Sequence, residues 1–350
     1  MISNLNKVSA KVNPLLLKNL QKLYLVRARV FHNRQLSEQS IEEVFGAVNV
    51  YKDGQGLSIL KKFDDLFELH KTFPEKQYEL LNTSFTDALY ITSITETNNL
   101  LQELKEIINT FDDLSAKTDD KLRKIARCNG PLVDMKVQEM YTNWKNYLTP
   151  FIEYLENDIK KLTQIPLGAK IDTQNKNVNE IISNSQESKL LKEVNKEFNL
   201  NLSSAENRLV ALSQLSPVVE LSGTLNNLAT VAMKIANDVR FLSSGPRSGY
   251  GEMAIPENEP GSSIMPGKVN PTQCESLTMV ACQVIGNHTA VSIANSSALF
   301  ESNNFKPLIA NNTLRSIRLL SDGFKSFRIN CAVGIVLLEE KIKDNLNRLI

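Results

Sequence analysis

The sequence predicts an all-α protein built around a long central helical bundle, and three observations predict it. Apolar residues recur at helical spacing through several long stretches. Short alternating runs bounded by turn residues, the mark of strands, are few. Glycine and proline are concentrated in one place: five of the fourteen glycines and five of the twelve prolines fall within residues 243–271. That segment reads as a long ordered loop between helices.

Residues 1–85 form the first part, a basic arm followed by a small N-terminal domain. The first 37 residues contain no Asp or Glu but carry Lys7, Lys11, Lys18, Lys22, Arg27, Arg29 and Arg34. An acid-free, basic, amphipathic start has the character of a mitochondrial transit segment; the alternative is a solvated basic arm, with a cytoplasmic location. The central bundle spans 86–335. Its helices are expected at 88–110 and at 136–163, then from Pro217 onward with Ser216 as N-cap. In the last of these, Leu221, Leu225, Leu228, Ala232, Ile235 and Val239 alternate steps of four and three, a bundle seam. After the loop, Thr272 to about Ala298 forms another helix. A further one follows Pro307 with Leu314, Ile317, Leu320 and Phe324 on one face. Residues 336–350 begin a third, C-terminal part.

Composition excludes several classes. The 350 residues carry a net charge of +1, which rules against a nucleic-acid binder held by bulk electrostatics. Cys128, Cys274, Cys282 and Cys331 have no metal-like spacing, and a reducing compartment suits them. Cys274 and Cys282, eight apart on one helix, read as small packed residues. Charge and amide residues interrupt each long apolar stretch, so no membrane-spanning segment is expected. No metal or organic cofactor is implied, since no cluster of ligand residues is present.

The loop carries the chemistry. Read from residue types alone, Ser262 and Ser263 are turn residues, Lys268 is surface charge, and Glu275 is a first-turn acid favoured by the helix dipole. A second reading comes from the run Gly261-Ser262-Ser263-Ile264-Met265-Pro266-Gly267-Lys268-Val269-Asn270, flanked by Pro256-Glu257-Asn258-Glu259-Pro260 and Pro271-Thr272-Gln273-Cys274-Glu275. This run closely resembles the signature of the fumarase/aspartase superfamily, and class II fumarase in particular.

The resemblance implies long helices crossing in a tetramer, with each active site assembled from three segments of three subunits. It implies that Ser262 is the catalytic serine, that Ser263, Lys268 and Asn270 bind substrate, and that Glu275 orients a catalytic histidine. Lys268 supplies charge and Asn270 a planar donor for a carboxylate. The resemblance is close from about Ser213 to Gly334 and faint before that. It also implies a shortened N-terminal domain and a largely missing C-terminal one.

Two parts of the family's site are not found. Asn129 stands where the family has its histidine. The segment Leu81-Asn82-Thr83-Ser84-Phe85-Thr86-Asp87 keeps the polar character, but not the order, of the first site segment. The chain has only His32, His70 and His288. His70 is a weak echo of an accessory carboxylate site, and His288 reads as a packed or capping residue. Loss of a positioned acid–base group costs about 10²–10⁴ in rate. The expectation is therefore a catalytically impaired fumarate hydratase homologue, serving as a structural or regulatory subunit of a mitochondrial assembly. An active fumarate hydratase, completed by a partner chain, and a dicarboxylate-binding sensor are the alternatives. In each, the chain forms a homo- or hetero-oligomer through its central helices.

Overall fold

The computed structural model describes residues 13–16, 18–20, 22–23, 26, 78–120, 122–126, 133–167, 184–245, 247–260, 265, 267–300 and 302–349. His32, His70, Asn129, Ser262 and Ser263 lie outside them. The described elements are overwhelmingly helical, as expected. They are α1 (Tyr78–Lys117), β1 (Arg123–Ala126), β2 (Val133–Lys136), α2 (Val137–Leu148), α3 (Pro150–Leu162), β3 (Gln164–Ile165), α4 (Asn184–Phe198) and β4 (Ser203–Ser204). There follow α5 (Arg208–Ser213), α6 (Ser216–Leu242), β5 (Met253–Ala254), α7 (Thr272–Ser296), α8 (Lys306–Asn330), a 3₁₀ turn (Ala332–Gly334), β6 (Val336–Leu337) and α9 (Glu339–Leu349). The strands form three two-stranded pairs: β1 with β2 and β5 with β6 antiparallel, β3 with β4 parallel.

Two compact units emerge, one from Met1–Thr97, Asn157–Ser222 and Asn287–Arg315, the other from Asn98–Glu156, Gly223–Gly286 and Ser316–Ile350. In the first, α1 is buried on every side from Phe85 to Ile94, as a helix in the middle of a bundle must be. Thr86 and Asp87 of the expected first segment therefore lie within α1 and are fully buried. The described part of the basic arm joins this unit. Asn13 Oδ1 accepts from the backbone N–H groups of Leu15 and Leu16, at 2.9 and 3.1 Å, and opens a helical turn. Leu16, Leu20, Leu23 and Val26 are buried, Asn19 donates to Thr92 Oγ1 at 3.0 Å, and Lys22 pairs with Glu197 at 3.6 Å.

The second unit packs around Trp144. Its ring meets Phe111 and Tyr141 edge-on, each at 5.5 Å between centroids, and its Nε1 donates to Asp238 at 2.8 Å. Indole carries a polar N–H into an apolar site, and Asp238 satisfies it. α9 packs against β1 in the same unit.

The seam of α6 is buried at all six expected positions, as are Leu314, Ile317, Leu320 and Phe324 of α8. Local details differ. The single helix expected at 136–163 is two helices, broken at Thr149, because Pro150 has no N–H to donate into the preceding turn and starts a new helix instead. Ser216 is not the N-cap of α6. Leu215 takes that place, its carbonyl accepting from Val219 N at 3.0 Å while its own N–H is held by Asn295 Oδ1 at 3.1 Å. Cys274 is buried but Cys282 is exposed, since eight residues turn a helix about 80° past two full turns.

α7 is also more apolar than expected. It is long and apolar enough to cross a membrane by length and composition alone. Its exposed positions include Met279, Cys282, Gly286, Thr289 and Ile293, which alternate steps of three and four and share one face.

Candidate active site

The loop leaves α6 through a compact turn. Ser244 Oγ donates to Phe241 O at 2.5 Å and accepts from Tyr250 N at 3.2 Å, while the Phe241 and Tyr250 rings lie 4.7 Å apart. Glu252 N then donates to Leu242 O at 2.9 Å, and the chain enters β5. β5 pairs with β6, so Met253 lies opposite Leu337 and Ala254 opposite Val336. Glu252 is buried and accepts from Asn345 Nδ2 at 3.0 Å. Pro256 rests on Gly334, where an added Cβ would come within 2.4 Å of Pro256 Cγ. Only glycine fits that position. Asn258 Nδ2 donates to Asn330 O at 3.0 Å, fixing the loop to the end of α8.

Beyond these anchors the loop presents its polar groups. Lys268 N donates to Met265 O at 3.2 Å, closing a four-residue turn with Gly267 at φ +80°. A positive-φ glycine third is what a type II turn requires, and a proline second in the sequence suits one. This turn carries Lys268, which is half-buried. Two residues on, Asn270 Nδ2 donates to a carboxylate oxygen of Glu259 at 3.2 Å. The turn thus ends at Lys268, and just beyond it the Asn270 amide is aimed at a carboxylate.

α7 starts directly after Pro271, whose carbonyl accepts from Glu275 N at 3.0 Å. Glu275 is exposed in the first turn, where the helix dipole favours a negative charge. Beside it the helix is tied inward. Ser326 Oγ donates to Gln273 Oε1 at 2.7 Å, and the Cys274 thiol hydrogen-bonds to that of Cys331. That bond, together with burial, pushes the Cys274 pKa far above the ordinary thiol range. Cys274 is thereby a packed, unreactive thiol.

His288 sits on the later part of α7, its Nδ1 3.0 Å from Ser222 Oγ, and burial lowers its pKa. This is the packed role expected for it. Sequence reasoning missed Glu259 as the partner of Asn270 and Asn258 as the loop's anchor. The proline-flanked run 256–260 was the available signal, since a rigid segment holds its polar side chains in fixed directions. Among the described residues no group of three or more His, Cys, Asp or Glu could hold a metal ion.

Residues 81–286 match a family described as a lyase. The chain belongs to this family, within the fumarase/aspartase superfamily. This superfamily member is 40% identical over 315 residues to a class II fumarate hydratase of Staphylococcus haemolyticus, covering 89% of the chain and 66% of the relative. It is 40% identical over 284 residues to that of Wigglesworthia glossinidia brevipalpis, covering 81% of the chain and 60% of the relative. The chain thus spans 60–66% of the length of these relatives.

The crystal structure of class II fumarase from Schistosoma mansoni superposes with a TM-score of 0.83 at 27% identity, covering 97% of this chain and 80% of that one. A fumarate lyase:delta crystallin from Brucella melitensis bound to cobalt gives 0.79 at 26% identity, covering 97% of this chain and 79% of that one. The fold is the all-α fold of the superfamily.

Proposed function

We propose that this fumarase-like chain holds a dicarboxylate on its loop but is impaired in turning it over, and serves as a structural or regulatory subunit of an oligomer. The observation that carries the reading is the contact of Asn270 with Glu259. An amide donor, two residues past the lysine that ends the Gly267 turn, already engages a carboxylate. A dicarboxylate displacing Glu259 would meet the Asn270 amide and the Lys268 ammonium, two donors suited to one carboxylate end.

Fumarate hydration needs more. A base must take a proton beside a carboxylate, and fixed donors must stabilise the charge that develops. In this reading Ser262 would be that base and Glu275 would orient a histidine. The histidine's place is taken by Asn129, an amide that cannot exchange a proton near neutral pH. His288 is committed to Ser222.

Fumarate hydration by the purified chain, beside Ser262→Ala, tests the reading. No turnover in either, together with calorimetric fumarate binding that Lys268→Ala abolishes, would support it. Turnover that Ser262→Ala removes would overturn it in favour of an active hydratase.

A second reading is favoured by the exposed apolar face of α7: a partner chain completes the site. Mixing with an active class II fumarase would then give hetero-oligomers whose turnover depends on Ser262 of this chain. The basic start supports a mitochondrial location, which imaging of a C-terminal fluorescent fusion in cells would check.

A further inference from the structure

We propose that a cleft between the end of α3 and the start of α6 is a second small-molecule site, built for a zwitterionic amino acid. The cleft has a volume of about 710 Å³, and its walls come from residues 157–164, 205–217 and Glu220, with Tyr90 of α1 also in the lining. All of these belong to the first compact unit, and none belongs to the loop 243–271. The volume lies within the usual range for a ligand pocket, about 300–1,000 Å³.

The first argument is Tyr90. Its side chain is fully buried, and its hydroxyl has no hydrogen-bond partner among the described residues. A buried hydroxyl left unpaired is costly, so an acceptor is called for. Burial, and then the negative charge of Asp87, push the phenol pKa far above its ordinary value. Tyr90 therefore keeps its proton throughout the physiological range and can only gain by donating it. An acceptor arriving through the cleft, a carboxylate or a carbonyl oxygen, would complete the group.

The second argument is the charge of the walls. Two lysines, Lys160 and Lys161, and two glutamates, Glu206 and Glu220, line the cleft. Lys161 is committed, pairing with Glu220 and lying 4.0 Å from Asp158. Lys160 and Glu206 have no ion-pair partner among the described residues, which leaves one cation and one anion available in a lining of zero net charge. A dicarboxylate would be repelled by the like charge of Glu206, and a diamine by that of Lys160. A molecule with one carboxylate and one ammonium matches both. The Asn157 and Gln164 amides lie on the same walls and can serve its side chain.

The test uses the full chain. Saturation-transfer NMR with an equimolar mixture of the twenty common amino acids would identify those that bind, and calorimetry would follow on each. The expected result is millimolar or tighter binding of at least one, with acetate and methylammonium at least about tenfold weaker. Tyr90→Phe, Lys160→Ala and Glu206→Gln should each weaken binding by about tenfold. Lys160 and Glu206 are exposed, so their variants keep the fold, as circular dichroism would verify. The proposal is overturned if no amino acid responds, or if binding ignores all three substitutions. It is equally overturned if fumarate competes for the same site, which would make the cleft a dicarboxylate pocket.

Discussion

Asn345 Nδ2 lies 3.0 Å from Glu252 Oε1 and 3.0 Å from Tyr250 O, so a single amide on α9 holds two points at the start of the loop 243–271. Glu252 is buried, and a buried carboxylate depends on its donors. Asn345→Leu is expected to cost about 1–3 kcal/mol in stability. Urea denaturation would measure it, and an unchanged midpoint would show that the clasp contributes nothing.

Gly267→Ala addresses the turn that carries Lys268. At φ +80° a Cβ is strained, and the substitution should cost about 1 kcal/mol. Its effect on fumarate affinity, read by calorimetry, should exceed its effect on melting, because the strain is relieved by moving the turn. Equal affinity in the two proteins would mean that the turn does not position the lysine.

Lys306 makes a pH prediction. It is buried, and burial lowers its pKa to about 8, against the opposing pull of Asp87. In the unfolded chain a lysine titrates near 10.4. Between these values the unfolded chain binds more protons, so the Lys306 contribution makes stability rise with pH from about 8 to about 10. The penalty is fully present below about 8 and fades across that window. Tyr90 and Tyr141, whose pKa values are raised, act in the opposite direction only near pH 10 and above. Lys306→Met should flatten the slope between pH 8 and 10 in urea titrations at a series of pH values. A slope that persists would assign it to other groups.

The apolar face of α7 yields an assembly prediction. Met279 and Ile293 are 66% and 62% exposed on a helix whose composition favours burial. Charged residues at both positions, Met279→Lys with Ile293→Lys, should shift the chain to a smaller species in light scattering at matched concentration. Helical content should be retained. If the double variant keeps the parent's mass, the oligomer uses another surface.

Much of the fold was legible because helices repeat. The α6 seam and the Leu314–Phe324 face were marked by spacing that only burial explains, and every residue in them is buried. The break at Pro150 was equally visible in principle, since proline states its own constraint. The β1–β2 hairpin was harder. Val133-Asp134-Met135-Lys136 alternates, but a strand of four residues carries little periodicity. At the site, Lys268 and Asn270 were legible through a contiguous motif. Glu259 and Asn345 were not, because their roles arise from contacts between distant segments that no local pattern encodes. Tyr90 carries no signal in the sequence, and only its unpaired buried hydroxyl sets it apart.

The pairing of Met253–Ala254 with Val336–Leu337 also bears on how the molecule comes into being. A ribosome has added some eighty residues after β5 before its partner strand exists. Until then Pro256 has no Gly334 to rest on, and Glu252 has no Asn345. The bundle helices can form early, from neighbouring turns, but the loop 243–271 must wait for a stretch of chain made later. Order of synthesis therefore ties the loop's final shape to residues 334–345, made long after the loop itself.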